Sequence, residues 1–225
     1  MTFSIVGRCA RSGAVGMAIS SSSIAVASRC VWVRVSAGAV ASQNVTDPVL
    51  GIRLLDLLEE GVPAGEALAR ITAAAPHIVH RQLAVVDREG RVAHYTGAKA
   101  LGVTGAAAGR DCVAAGNLLA NSGVPAAMAE AFAAAPEAHL AERLLRALER
   151  GLAAGGEAGP VHSAGLVVAH EQPWPVVNLR VDWADEAPIA ALRKTWDLYE
   201  PQMKDYIQRA LDPTAAPSYG VPGDP

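Results

Sequence analysis

The sequence predicts an α+β protein in which antiparallel strands form stacked sheets and helices cover the outer faces of those sheets. Strand-like segments occur in blocks, and helix-like segments occur mostly in pairs. No strand–helix–strand alternation runs along the chain, which argues against a doubly wound parallel sheet. Blocks of antiparallel strands separated by helix pairs are typical of stacked sheets with a helix layer on each side.

The predicted strands are runs of β-branched and apolar residues between turn residues. In chain order they are 2–8, 14–20, 37–43, 83–87, 91–96, 111–116, 163–170 and 176–183. Two turn signals, Arg11-Ser12-Gly13 and Arg88-Glu89-Gly90, predict a hairpin around each of them. Residues 23–35 are rich in strand formers but irregular.

The predicted helices show apolar residues at helical spacing. They are 48–60, 63–74, 124–135, 138–154 and 188–211. Asp47-Pro48 is a good helix start, and Gly61 ends that helix. We expect one domain over 1–211, followed by a Pro/Gly-rich tail over 212–225.

Composition excludes several classes of function. The chain has 225 residues, of which 51% are hydrophobic, and a net charge of −3 without any basic stripe, so nucleic-acid binding is not expected. No run of 18 apolar residues predicts a membrane span. Three scattered cysteines fit free thiols in a reducing cytoplasm. His77 and His80 lack a carboxylate at ligand spacing, so we expect no metal, and we expect no cofactor.

The chain begins Met1-Thr2 and shows no leader, so we expect Met1 to be the initiator residue and to be removed ahead of a small second residue. Thr2 would then carry a hydroxyl and a free α-amine. Because an α-amine has a pKa of about 7.7–8.0, it can act as a base toward its own hydroxyl. The alternative is an ordinary protein that starts Met-Thr.

Six stretches resemble a family of bacterial proteins known as DUF1028, within the N-terminal nucleophile hydrolase fold group. They are 2–6 (TFSIV), 38–44 (GAVASQN), 81–87 (RQLAVVD), 116–119 (GNLL), 141–145 (AERLL) and 163–166 (SAGL). This resemblance implies a four-layer αββα sandwich whose nucleophile, here Thr2, is the first residue of the first strand. The family name records no activity, and fold alone does not fix function.

The resemblance also suggests which residues meet the nucleophile. Ser42, Gln43 and Asn44 follow a strand whose end approaches the nucleophile in this fold, and they could supply an oxyanion hole; the alternative is a turn into the next helix. Asn117 is a second amide candidate, or else a turn residue. Arg81 and Gln82 precede the strand 83–87 and could bind a substrate carboxylate or carbamoyl group; the alternative for Arg81 is a solvated loop residue.

Further substrate-binding candidates are Ser21, Ser163 and Arg34. Ser21 belongs to the polar run 20–23, where relatives of the fold carry an acidic or polar supporting residue. No lysine precedes Lys99, so Arg29 and Arg34 are the only nearby cations, and an arginine cannot accept a proton. The absence of a lysine here departs from the proteasome-like pattern and so argues against proteasome-like peptidase activity. Glu157, in a Gly-rich loop, is expected to be a solvated charge; the alternative is a loop carboxylate that faces the site.

Together with the resemblance, these residues predict a hydrolase of small amide, ureido or lactam C–N bonds that uses Thr2 after removal of Met1. The alternative is a non-catalytic small-molecule binding or assembly protein on the same fold. An enzyme with an internal nucleophile, Ser163 or Cys30, stays open. Alanine-rich helices and the apolar segment Val31-Trp32-Val33 predict a homo-oligomer.

Overall fold

The computed structural model describes residues 1–220, and its two antiparallel sheets confirm the predicted α+β class. The strands of this part of the chain are β1 (Thr2–Arg8), β2 (Val15–Ser21), β3 (Val31–Arg34), β4 (Gly38–Asn44), β5 (Arg81–Asp87), β6 (Val92–Thr96), β7 (Gly105–Gly109), β8 (Cys112–Asn117), β9 (Ser163–Ala169) and β10 (Pro175–Val181). Its α-helices are α1 (Ala27–Cys30), α2 (Pro48–Glu59), α3 (Ala64–Ala74), α4 (Val124–Ala133), α5 (Leu140–Ala153), α6 (Pro188–Tyr199) and α7 (Met203–Leu211).

The larger sheet has six strands in the order β10-β9-β2-β1-β8-β7, and the smaller has four in the order β3-β4-β5-β6. Every neighbouring pair is antiparallel. The first strand of the chain therefore lies near the middle of the larger sheet. Its start is held on both sides, by β2 and β8, so the amino terminus is fixed in place.

Three buried apolar clusters hold the layers together. One lies between the six-stranded sheet and α4, α5 and α6, and contains Phe3, Leu144 and Trp196. A second joins the four-stranded sheet to α2 and α3. The third lies between the two sheets, where Val6 and Met17 of the larger sheet share a cluster with residues of the smaller one. The sheets thus pack face to face, with helices on both outer sides.

The sequence signals for the start and the end of α2 are confirmed. The Asp47 carboxylate accepts a hydrogen bond of 3.1 Å from the backbone N–H of Val49, as an N-cap does. Gly61 has a positive φ of 87° directly after α2, a backbone conformation that suits glycine.

Three parts of the structure differ from the sequence-based prediction. The irregular segment 23–35 contains the short helix α1 followed by β3. The edge strand β7 was not predicted, because Gly-Ala-Ala-Ala-Gly lacks the β-branched residues that mark strands. The predicted helix 188–211 is interrupted by a 3-10 turn, Glu200–Gln202, at whose centre lies Pro201.

The predicted tail lies partly outside the described residues, at 221–225. Within the described part, the guanidinium of Arg209 lies 3.8 Å from the ring centroid of Tyr219 and donates a hydrogen bond to the backbone of Pro217. Among residues 1–220, no helix has the length and apolar character needed to cross a bilayer.

Candidate active site

Four polar side chains form a row across four neighbouring strands of the larger sheet. Thr2 on β1 pairs in register with Asn117 on β8, and Ser21 on β2 pairs with Ser163 on β9. Phe3 pairs with Ser20, so Thr2 and Ser21 also lie opposite each other. Val6 faces the other sheet, and side chains alternate along a strand, so Thr2 points toward the other sheet as well. We call Ser163, Ser21, Thr2 and Asn117 the polar row.

The polar row is buried. Thr2 is 5% exposed, and the other three residues are fully buried. Fully buried hydroxyl and amide groups are costly unless they are hydrogen-bonded. The partners of each group therefore show what the row is arranged to hold.

At the centre of the row, two hydroxyl groups hold one carbonyl oxygen. Thr2 Oγ1 and Ser21 Oγ both donate to the backbone oxygen of Met1. The two hydroxyl oxygens lie 3.4 Å apart, and Ser21 Oγ is 2.8 Å from Ser23 Oγ. Two hydroxyls of the row thus converge on one backbone carbonyl oxygen. That carbonyl belongs to Met1, which covers the Thr2 hydroxyl.

Behind the row, buried amide side chains connect the two sheets. Ser4 Oγ donates to Gln43 Oε1 over 2.7 Å, and Gln43 Nε2 donates to Gln82 Oε1 over 2.9 Å. Asn117 Nδ2 donates to the same Gln82 oxygen over 3.1 Å. All four residues are fully buried. We call Ser4, Gln43, Gln82 and Asn117 the amide ladder.

The amide ladder leaves one acceptor free next to Thr2. Gln82 Nε2 donates to the backbone oxygen of Gly116 over 2.9 Å, which fixes the orientation of the Gln82 amide and turns its oxygen toward Gln43 and Asn117. Asn117 must then present its NH₂ group to Gln82. Within the described part of the chain, the buried Asn117 Oδ1 has no hydrogen-bond partner. A buried unpaired acceptor at the strand position opposite Thr2 is available for an N–H donor.

Glu157 lies next to this end of the sheet, and its predicted exposure was wrong. The residue is only 5% exposed, because it forms a bridge with Leu119 that draws its loop onto the sheet end. Both carboxylate oxygens accept the backbone N–H of Ser22 at 3.1 Å. Burial raises the pKa of the Glu157 carboxyl to about 7, against the lowering effects of the positive amino terminus, the Ser22 hydrogen bonds and His162. The carboxyl can therefore take up or release a proton near neutral pH.

We expect the buried Glu157 carboxyl to make the protein less stable as the pH rises. Its pKa is about 7 in the folded chain and near 4.5 in the unfolded chain, so the unfolded state loses the proton first. The free energy of unfolding should fall by on the order of 2–3 kcal/mol between about pH 4.5 and 7. Glu157→Gln should remove this fall, as urea unfolding at a series of pH values would show. Glu60→Gln, at an exposed helix end, is the matched control and should keep the wild-type pH dependence. An unchanged pH dependence in Glu157→Gln would contradict the buried carboxyl.

The other predicted site residues lie elsewhere or are held by the backbone. Ser42 Oγ donates to the backbone oxygen of Asp47 over 2.8 Å and so fastens the turn before α2. Asn44 has a φ of 75°; its Nδ2 donates to the backbone oxygen of His80, and its Oδ1 accepts the N–H of Leu101. The side chain of Asn44 thus links two loops beside the site.

The two predicted arginines differ in position. Arg81 follows the loop near Asn44, and its guanidinium donates to the backbone oxygen of Val45. Arg34 pairs in register with Gly38, at the end of β4 opposite to Asn44. Six residues of extended strand separate Gly38 from Asn44, which is about 20 Å at 3.3 Å per residue. Arg34 forms ion pairs with Asp56 (3.0 Å) and Glu59 (2.6 Å) on α2. The structure therefore separates Arg34 from the polar row.

The two internal nucleophile candidates are engaged in other contacts. Ser163 Oγ donates to the backbone oxygen of Ser23 over 2.6 Å and lies 3.3 Å from the N–H of Val26. Burial raises the pKa of the Cys30 thiol, which keeps it protonated and weakly nucleophilic. Among residues 1–220, no three His, Cys, Asp or Glu side chains are grouped so that they could hold a metal ion.

Sequence reasoning favoured solvent exposure for Glu157 over a position at the site, and it missed the central role of Gln82. Glu157 sits in a Gly-rich loop whose composition indicates solvent exposure, and only the bridge to Leu119 buries it. Gln82 was grouped with Arg81 as a loop residue before a strand, but it is the second residue of β5 and points between the sheets. A polar residue inside an otherwise apolar strand run was the signal available for it.

The protein is of the α+β class, with two packed antiparallel sheets. A buried polar row lies at the start of a central strand. The chain belongs to DUF1028, a family of unknown function, whose model matches residues 2–192. A crystal structure of a DUF1028 protein from Silicibacter pomeroyi is similar to it, with 31% identity over 88% of each chain and a TM-score of 0.82.

A more distant similarity is to Anbu, an ancestral β-subunit, from Yersinia bercovieri. Its identity is 12%, the match covers 92% of this chain and 97% of that chain, and its TM-score is 0.37. A similarity at that level supports no argument about this chain. No curated protein gives a significant match.

Proposed function

We propose that this protein hydrolyses small amide, ureido or lactam C–N bonds as an N-terminal nucleophile hydrolase, with Thr2 as the nucleophile. The observation that supports this proposal most strongly is that the hydroxyls of Thr2 and Ser21 both donate to one peptide carbonyl oxygen inside the polar row. A group that binds a carbonyl oxygen beside a hydroxyl nucleophile is what an acyl-transfer site requires. The helix–sheet–sheet–helix packing is also the architecture that the N-terminal nucleophile hydrolase fold group implies.

The mechanism requires that residue 2 become the first residue of the chain. The freed α-amine of Thr2 then takes the proton from Thr2 Oγ1 as this oxygen attacks the substrate carbonyl carbon. The Ser21 hydroxyl donates to the oxygen of the tetrahedral intermediate, in the place that the Met1 oxygen holds now. The α-ammonium next gives its proton to the leaving nitrogen, and water hydrolyses the acyl ester on Thr2.

The amide ladder changes the role proposed for Asn117. The NH₂ group of Asn117 is committed to Gln82, so the free Oδ1 accepts a hydrogen bond instead of stabilising an oxyanion. Its donor is the Thr2 α-amine or the N–H of the bound amide. Gln43, also committed within the ladder, holds Gln82 and through it Asn117 in place. Asn44 shapes the neighbouring loops.

Small nitrogen-containing metabolites are the proposed substrates. Arg81 is the cation proposed to bind their carboxylate or carbamoyl group, since its Nε is buried without a hydrogen-bond partner among the described residues. We propose a cytoplasmic homo-oligomer in which the apolar segment Val31-Trp32-Val33 and the helix layers meet between copies.

A second function follows if residue 1 is retained. The carbonyl of Met1 then occupies the space between the Thr2 and Ser21 hydroxyls. If Met1 persists in the mature protein, the α-amine of Thr2 is a peptide nitrogen and cannot act as a base. The site would then only bind a small molecule or support assembly.

A substrate screen tests the proposal. The protein is prepared without an amino-terminal tag, and release of ammonia or amine is measured over a panel of small amides, ureido acids and lactams. We expect turnover of at least one substrate class by protein that has lost Met1. Tight binding of panel members without any product, by protein that has lost Met1, would favour the binding function.

A further inference from the structure

A cavity of about 410 Å³ lies at the end of the six-stranded sheet opposite the polar row. It opens beside Cys9, which follows β1, and Asp111, which precedes β8. Six to seven residues of extended strand separate it from Thr2, which is roughly 20 Å. Arg11, Arg110, Glu137 and Arg143 also line it. The cavity therefore shares no residue with the candidate active site.

Arg143, on α5, is a buried cation in the wall of this cavity. The residue is 7% exposed. Its Nε donates to the backbone oxygen of Phe132 over 3.2 Å, and its guanidinium carbon lies 3.9 Å from the centre of the Phe132 ring. Within residues 1–220, no carboxylate lies within ion-pair distance of Arg143. A buried guanidinium without a counter-ion is costly, which makes an anionic partner favourable.

The two carboxylates that line the cavity are already paired with other arginines. Asp111 contacts Arg8 Nη1 at 3.1 Å and Arg110 Nε at 3.7 Å. Glu137 is paired with Arg11. Three arginines, Arg8, Arg11 and Arg110, thus share these two carboxylates, and among the described residues Arg143 has no ion pair.

We propose that the cavity is a binding site for a small oxyanion, a carboxylate or a phosphate, held by the guanidinium of Arg143. A planar guanidinium recognises both groups through paired N–H donors. The positive charge of Arg143 also acts on the nearby Cys112 thiol. Burial raises the pKa of that thiol to about 11, and Arg143 opposes the rise. The cavity is large enough for a small molecule that carries the oxyanion and a short apolar part, which would lie against Ala10 and Ala133.

Titration calorimetry with inorganic phosphate and with malonate, at constant ionic strength, tests the site. We expect saturable binding of at least one probe by the wild-type protein. Arg143→Met should weaken that binding by about tenfold or more, since a hydrogen bond to a charged group is worth roughly 1.5–3 kcal/mol. Arg150→Met, at an exposed arginine of the same helix, is the control and should bind as the wild type does.

A variant outside the core keeps the test decisive if Arg143→Met does not fold. Ala133 is exposed and lines the cavity, so Ala133→Glu should fold and place a carboxylate at the anion position. We expect it to abolish binding of the preferred probe. Preference for phosphate or for malonate would show which oxyanion the site takes. The absence of saturable binding by the wild-type protein, or unchanged binding by Ala133→Glu, would overturn the proposal.

Discussion

Replacing Thr2 by alanine is expected to lower turnover of an amide substrate by about a thousandfold or more. The substitution removes the attacking oxygen and keeps Ser21 and the amide ladder, so substrate binding should persist while covalent chemistry stops. A loss of that size matches what deletion of a nucleophile does in hydrolases that act through an acyl-enzyme. The initial rate of amine or ammonia release, measured at saturating substrate, gives the effect on kcat.

Thr2→Ser is the matched control. Serine retains the hydroxyl, and alanine and serine are both small enough to allow removal of Met1 ahead of them. Thr2→Ser should therefore keep measurable turnover, while Thr2→Ala loses it. Full turnover by Thr2→Ala would show that another residue attacks the substrate.

Replacing Gln82 by leucine should reduce the free energy of unfolding by about 3–5 kcal/mol. Gln82 accepts hydrogen bonds from Gln43 and Asn117 and donates to Thr96 and to the backbone of Gly116. Leucine has a similar size but no polar atoms, so it leaves buried donors and an acceptor unpaired, each at a cost of about 1–3 kcal/mol. Equilibrium urea unfolding would measure the change.

Thr96→Val provides the graded comparison for Gln82→Leu. It removes one acceptor at the half-buried end of the ladder, and we expect a loss of about 1 kcal/mol. If Gln82→Leu costs no more than Thr96→Val, the amide ladder does not act as the buried connection between the sheets.

Local pattern explains why most elements were predictable. The strands around residues 2–8 and 83–87 and the helix that begins at Pro48 carry alternation, turn residues and a cap, and the structure confirms them. Strand β7 carries no such signal, because alanine and glycine favour no extended pairing on their own. Its position is set by pairing with β8, a contact between separate segments.

The candidate site was only partly predictable for a related reason. Register brings Thr2, Ser21, Ser163 and Asn117 into one row, and side-chain alternation turns them to the same face. Arg34 was assigned to the site from its closeness in sequence, but it lies at the far end of the smaller sheet. The burial of Glu157 depends on a bridge to Leu119 that no local pattern indicates.

The most direct test of the central claim is the intact mass of the untagged protein, measured before and after incubation with a small β-lactone. Attack by Thr2 Oγ opens the lactone ring and forms an ester, so the whole mass of the reagent stays on the protein. We expect a chain that lacks one methionine and gains one lactone, while Thr2→Ala gains none. A wild-type chain that retains Met1 and forms no adduct would contradict Thr2 as the nucleophile.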